Sequence, residues 1–165
     1  MLEVLIEADG WAQVPLESLA GRAVTATLCK VGIAPEDAEI SLLACSDARI
    51  ADLNSEFRDK TTATNVLSWP AVDLAPDVDG ARPKAPERDF DGTYELGDIA
   101  IAFETCLREA AEMQKSMEDH VTHLIVHGLL HLLGYDHGRD RDATLMEALE
   151  TEILGKLGLD DPYRN

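Results

Sequence analysis

All five histidines of the chain, His120, His123, His127, His131 and His137, fall within one window of 18 residues. The spacing of the last three dictates the local backbone. His127 and His131 stand four residues apart, so on a helix they project from one face about one turn from each other, close enough for two imidazoles to share an ion. His137 cannot reach that point along a straight helix. Gly134 can take the left-handed conformation that ends one, after which the chain turns back to deliver a third nitrogen. Ser116, followed three residues later by Asp119, resembles a capping box, which predicts a helix from about 117 to 133. Three neutral imidazoles suit zinc, at bonds of roughly 2.0 to 2.1 Å. Structural zinc sites usually close with four protein ligands and are commonly rich in cysteine, whereas three histidines leave a coordination position free. No cysteine lies near the motif, so the set reads as hydrolytic: an ion held this way lowers the pKa of a bound water from about 15.7 toward roughly 7. His120 and His123 share nearly the same stripe, but His123 and His131 are separated by about 12 Å of helix axis, which tetrahedral geometry does not allow. They are expected to be partly exposed first-turn residues or packing groups near the site.

The remainder of the chain predicts a scaffold of strands and helices. Residues 2 to 6 read as a strand, Leu16 to Val31 as a helix with Pro15 before it and Gly32 after it, and Ile40 to Cys45 as a buried strand. Ser46-Asp47 opens a helix with Ile50, Leu53 and Phe57 inward. Val66 to Trp69 is a short strand stopped by Pro70, and Ile99 to Phe103 is another. Helices follow over about 104–115, 117–133 and 140–157. Between the last two strands, a stretch at about 70–94 carries four prolines and many acids, and is expected to be a long surface loop or mobile flap. The expected fold is α+β (mixed α/β): one small sheet of about four strands with packed helices and the metal-binding helix in the later half, residues 1–165 forming a single domain.

Composition narrows the partners. With 32 acidic residues against 14 basic ones, the net charge is −18, which repels polyanions as a whole-body field, so any nucleic-acid site must be local. Arg22, Lys30, Arg58 and Lys60, with Arg139 and Arg141 after the metal motif, are the basic residues expected to make a positive cleft together with zinc. No stretch has the roughly 18 apolar residues needed to span a bilayer, and no leader pattern opens the chain. Cys29, Cys45 and Cys106 are odd in number and lie in apolar segments, which suits reduced core thiols and a cytoplasmic location.

The spacing H-x3-H-x5-H is that of metzincin-type proteases, but Gly128 stands where that family has its general-base glutamate, and glycine cannot take a proton. The whole segment His127-Gly128-Leu129-Leu130-His131-Leu132-Leu133-Gly134-Tyr135-Asp136-His137 closely resembles the signature of the YbeY family of bacterial endoribonucleases. Leu53-Asn54-Ser55-Glu56-Phe57-Arg58, Thr64-Asn65-Val66-Leu67-Ser68-Trp69-Pro70 and Leu96-Gly97-Asp98-Ile99 resemble that family's L-N-x-x-F-R, T-D-V-L-S-F-P and L-G-D-I segments, in the same order. The departures are Asn65 for aspartate, Trp69 for phenylalanine, and the acidic loop.

The resemblance implies zinc at His127, His131 and His137, one ion per chain, and a catalytic role for Arg58. It also implies a single-strand-specific endoribonuclease acting in ribosomal RNA maturation, at the 16S 3′ end, and in ribosome quality control. The implied partners are ribosomal RNA and the small ribosomal subunit, with neither DNA nor membrane. A guanidinium at 58 fits independently, since its fork of donors can hold two nonbridging oxygens of a cleaving phosphodiester. The nucleophile stays open between a metal-bound hydroxide and the ribose 2′-hydroxyl. Asp98 and Asp136 are candidates to orient a ligand imidazole. Two other readings stand: a metallopeptidase with an unrecognised base, and a non-catalytic assembly factor with structural zinc.

Overall fold

Two stretches of the chain, Ile40 to Cys45 and Ile99 to Ala102, are apolar at nearly every position, and a strand of that kind must be covered on both faces. In the computed structural model, which describes residues 1–58 and 62–163 apart from the side chains of Phe57 and Arg58, they form the sheet's two central strands. The elements are β1 (Leu2–Ile6), a 3-10 turn (Asp9–Gln13), α1 (Leu16–Val31), a second 3-10 turn (Pro35–Asp37), β2 (Ala38–Cys45), α2 (Asp47–Arg58), β3 (Val66–Pro70), β4 (Tyr94–Ala102), α3 (Phe103–Glu112), α4 (Met117–Leu132) and α5 (Asp140–Lys156). The sheet order is β1-β2-β4-β3, with β1, β2 and β4 parallel and β3 antiparallel to β4. This is the α+β architecture expected.

Alternation along the strands splits the core in two. Ile40, Leu42, Ile99 and Ile101 belong to the main core with α1 and α4, while Cys45, Ala100 and Ala102 meet Ile50 and Leu53 of α2 on the other face. The small alanines let α2 lie close to the sheet. Helix α4 is buried along most of its length, from Val121 to Leu132, and Ser116 caps it by accepting the Asp119 N–H through its hydroxyl. Burial of this helix beside β3 and β4 gives the histidines on it a rigid base.

Several boundaries and environments differ from expectation. Strand β4 begins at Tyr94 rather than Ile99, because Leu96 is an extra residue between the pairs Glu39–Glu95 and Ile40–Gly97, a bulge that breaks the alternation. Gly97 there has φ +133°, and a Cβ on it would lie 2.2 Å from the Trp69 carbonyl oxygen, so only glycine lets β3 pair at this point. The turn after β1 buries Trp11 completely, its indole N–H donating to the Cys45 carbonyl at 2.9 Å. Cys45 and Cys106 are buried, and burial pushes their thiols up to about 11 and about 12, but Cys29 is exposed on α1 and is not a core thiol.

The long connection between β3 and β4 has no regular secondary structure over 71–93, yet it is docked and is no free flap. Leu74 is buried, Asp79 accepts the backbone N–H groups of Arg141 and Asp142 at the start of α5, and Asp142 in turn accepts the Gly80 N–H at 2.8 Å. The first turn of a helix has unpaired N–H groups, and here a carboxylate from a distant loop supplies the cap.

Candidate metal centre and cleft

Helix α4 ends as its sequence predicts. Gly134 takes φ +99°, its N–H donates to His131 O at 3.1 Å, and the Tyr135 N–H donates to Leu130 O at 3.0 Å, the paired bonds of a Schellman cap. The reversal brings His137 back over the helix. Ring centroids lie 4.6 Å apart for His127 and His131, 5.3 Å for His127 and His137, and 5.1 Å for His131 and His137. One nitrogen from each ring lies within 4.8 Å of the others. The three rings thus converge.

The donor atoms fit a shared cation. His127 and His131 oppose their Nε2 atoms at 3.0 Å, near the roughly 3.3 Å expected of two nitrogens on one tetrahedral zinc at about 2.0 to 2.1 Å. The tautomer of His127 is set from behind. Its Nδ1 contacts the carboxylate of Glu150 on α5, a residue with no exposed surface. Burial pushes that carboxyl up, but interactions with His123, His127 and Tyr163 outweigh it and hold the group down at about 2. An ionised carboxylate only accepts, so the proton of His127 sits on Nδ1 and the lone pair of Nε2 faces His131. Burial, then the neighbouring His127 and His137, push His131 down to about 4, which keeps it neutral and able to ligate at neutral pH.

Glu150 is the residue at this candidate site that sequence reasoning missed. Of the expected orienting carboxylates, Asp98 is exposed on β4 and does not line the cleft. Asp136 accepts the His137 backbone N–H at 2.8 Å and lies 3.9 and 4.0 Å from Nδ1 of His131 and His137, beyond a direct hydrogen bond. His123, His127 and Glu150 form a second group with ligand spacing, but it lies behind His127, where Glu150 already holds Nδ1. His120 is buried rather than partly exposed; it contacts Glu109 of α3 at 2.9 Å, and burial pushes it down. The same Glu109 oxygen accepts the side-chain amide of Asn65 at 3.0 Å. Asparagine at 65 therefore has a physical reason: an aspartate would set two carboxylates against each other.

A cleft of about 800 Å³ opens in front of the three rings. Its wall runs from Asn54 of α2 through Thr62 to Ser68 along β3, and continues through Asp73 to Ala75 of the docked loop. Arg58, expected here, ends α2, but its side chain lies outside the described residues, as does Lys60. None of Arg22, Lys30, Arg139 and Arg141 lines the cleft, contrary to expectation. Lys30 pairs with Glu152, and Arg139 is spent on Asp142 and on the carbonyls of Pro76 and Asp77. Positive charge at the cleft is thus not supplied by the described lysines and arginines.

Gly128 explains why no glutamate follows His127. A Cβ there would lie 3.1 Å from Ile99 Cγ2 and 3.2 Å from Ser68 Oγ, and the Ser68 hydroxyl donates to the Gly128 carbonyl at 3.1 Å. The helix lies so close to the sheet at this point that any side chain would crowd Ile99 and Ser68.

Fold and site together define a mixed α/β protein with a three-histidine, metal-compatible centre at the mouth of a cleft. A family model described as Endoribonuclease YbeY matches residues 7–158. Proteins named endoribonuclease YbeY are 63% identical in Ruegeria pomeroyi, over 98% of this chain and 97% of the relative, and 48% identical in Paracoccus denitrificans, over 98% and 89%. The chain belongs to the YbeY endoribonuclease family. The solution structure of TM1509 from Thermotoga maritima shares the fold, with a TM-score of 0.56 at 21% identity over 100% of both chains.

Proposed function

We propose that the protein is a zinc-dependent endoribonuclease specific for single-stranded RNA, which processes the 16S ribosomal RNA 3′ end and serves ribosome quality control in the cytoplasm. Residues 1–165 act as one domain, and the small ribosomal subunit presents the substrate. The observation that carries this reading is the convergence of His127, His131 and His137 on one point at the mouth of a cleft of about 800 Å³. Family membership supports RNA as the polymer cut.

His127, His131 and His137 would hold the zinc. When bound, the ion supplies a Lewis acid beside the scissile phosphate. Glu150 keeps the Nε2 lone pair of His127 directed at the ligand position. The hydroxyl and amide groups of Thr62, Thr64 and Asn54 along the wall give a strand polar partners, and Arg58 is assigned to the nonbridging oxygens of the phosphate that becomes more negative as it is attacked. Gly128 disfavours peptide hydrolysis, since it carries no base and Ile99 and Ser68 crowd the position where the usual one would start. His137 has a side chain 57% exposed, which suits a site open to substrate better than a closed structural one.

The test is to incubate the protein with single-stranded precursor ribosomal RNA and with an unfolded protein, each with and without chelator. RNA fragments that vanish with chelator and return with zinc are expected, with the unfolded protein left intact. Peptide products, or RNA cleavage indifferent to chelator, would overturn the proposal.

A further inference from the structure

The segment after α5 is tied to the metal centre through one residue. At Gly158, φ +81°, the chain reverses, the Leu159 N–H donates to Leu154 O at 2.9 Å, and the segment runs back along α5. Asp161 fixes it, accepting the Thr151 hydroxyl at 3.1 Å and the Tyr163 N–H at 2.9 Å through the same oxygen. This places the Tyr163 hydroxyl on Glu150 Oε2, while Glu150 Oε1 receives His127 Nδ1. The Tyr163 ring also stands edge-on to His123, with centroids 5.9 Å apart.

We infer that Tyr163 is a positioning residue for the metal centre: its hydroxyl fixes the rotation of the Glu150 carboxylate, and that carboxylate fixes His127. The inference rests on the three-histidine reading above. Its physical basis is that Glu150 has no exposed surface, so water does not compete for its oxygens and each needs a protein donor. Without the Tyr163 hydroxyl, an alternative for Oε2 is His123 Nε2, 3.8 Å away and without a hydrogen-bond partner among the described residues. Turning toward it draws Oε1 off His127 Nδ1. The ring then loses both its orientation and its preference for the Nδ1–H tautomer, and the ligand nitrogen is no longer held on the shared point.

The experiment compares wild type, Tyr163→Phe, Glu150→Gln and the double variant. Zinc affinity is measured by competition with a chromophoric chelator, and the His127 tautomer in zinc-free protein by nitrogen-15 NMR. Glu150→Gln is expected to weaken zinc by about 10–100-fold, the usual effect of removing an outer partner of a ligand, and Tyr163→Phe by about 3–10-fold. The double variant should be no weaker than Glu150→Gln alone, because both changes act through one carboxylate. In the NMR arm, Tyr163→Phe should shift His127 from a single Nδ1–H form toward a mixture. Unchanged affinity and tautomer in Tyr163→Phe would overturn the inference, as would a double variant whose loss is the product of the two single losses. If wild type binds no zinc, the three-histidine reading fails, and the tautomer comparison alone decides the role of Tyr163. Circular dichroism on each variant separates these effects from misfolding.

Discussion

Replacing Gly134 by alanine tests the link between one residue's backbone freedom and the position of the third imidazole. Two costs are visible. An alanine held at φ +99° sits in a region that costs an L-residue about 1–2 kcal/mol. Its Cβ would also lie 2.6 Å from the Leu74 carbonyl oxygen and 2.7 Å from its carbon. Leu74 cannot yield freely, because it is buried and its oxygen accepts the Lys84 N–H at 2.9 Å, so forced overpacking adds about 1–3 kcal/mol. The total, about 2–5 kcal/mol, is a large share of the 5–15 kcal/mol that typically holds a domain together. Urea denaturation of the zinc-free variant should show a midpoint lowered by about 1–2 M, and zinc affinity should fall because the turn carrying His137 moves. The control is Gly21→Ala in α1, where nothing lies within 4 Å and helix propensity should give a gain of about 0.5–1 kcal/mol. Wild-type midpoint and wild-type zinc affinity in Gly134→Ala would refute the reasoning.

Gly128→Ala should cost about 1 kcal/mol net, crowding of Ile99 and Ser68 by about 1–3 kcal/mol being offset by about 0.5–1 kcal/mol of helix propensity, and Gly128→Glu should bury an unpaired carboxylate and give unstable protein without peptidase activity; thermal melts and a peptide assay check both. Arg58→Lys keeps the charge but loses the fork, so RNA cleavage should fall by about 100-fold while zinc content stays at the wild-type level; an equal loss of zinc would contradict the assigned role. Acid should destabilise the zinc-free protein in two windows. Burial and the flanking imidazoles hold His131 at about 4, so between about pH 6.5 and 4 the unfolded chain binds a proton that the folded one does not. Stability is therefore full above pH 6.5 and falls as pH drops, by on the order of 2 kcal/mol by pH 4.5. Glu150, held at about 2, adds a loss as pH falls below about 4.5. A urea midpoint flat from pH 7.5 to 4.5 would contradict this.

The sequence made the helices and the metal motif legible because their signals are local. Ser116 at the start of α4, Gly134 at its end and the four-residue step from His127 to His131 act within a turn or two, and the structure follows them. What escaped depends on distant partners. The early start of β4 needs β2 opposite it and a bulge at Leu96, which hides the alternation. The docking of the 71–93 connection depends on Asp79 meeting α5. The choice for His120 between a partly exposed first-turn residue and a packing group stays open in the sequence because Glu109, which pairs with its Nε2, lies on another helix. Glu150 sits between Glu147 and Glu152 in an acidic helix; the available signal is that it falls on the stripe of Met146 and Ile153, four residues after the one and three before the other. A carboxylate on an apolar stripe must be paired, and at this position its partner is a candidate metal ligand.

The proposed chemistry requires three imidazoles to hold one ion that the reaction needs. Metal content and RNA cleavage rate, measured on the same preparations of wild type and His131→Ala, test it most directly. One zinc per wild-type chain together with cleavage is expected, and the loss of both in the variant. A variant that loses its ion yet cleaves RNA at the wild-type rate, or that keeps a full complement of zinc, would contradict it.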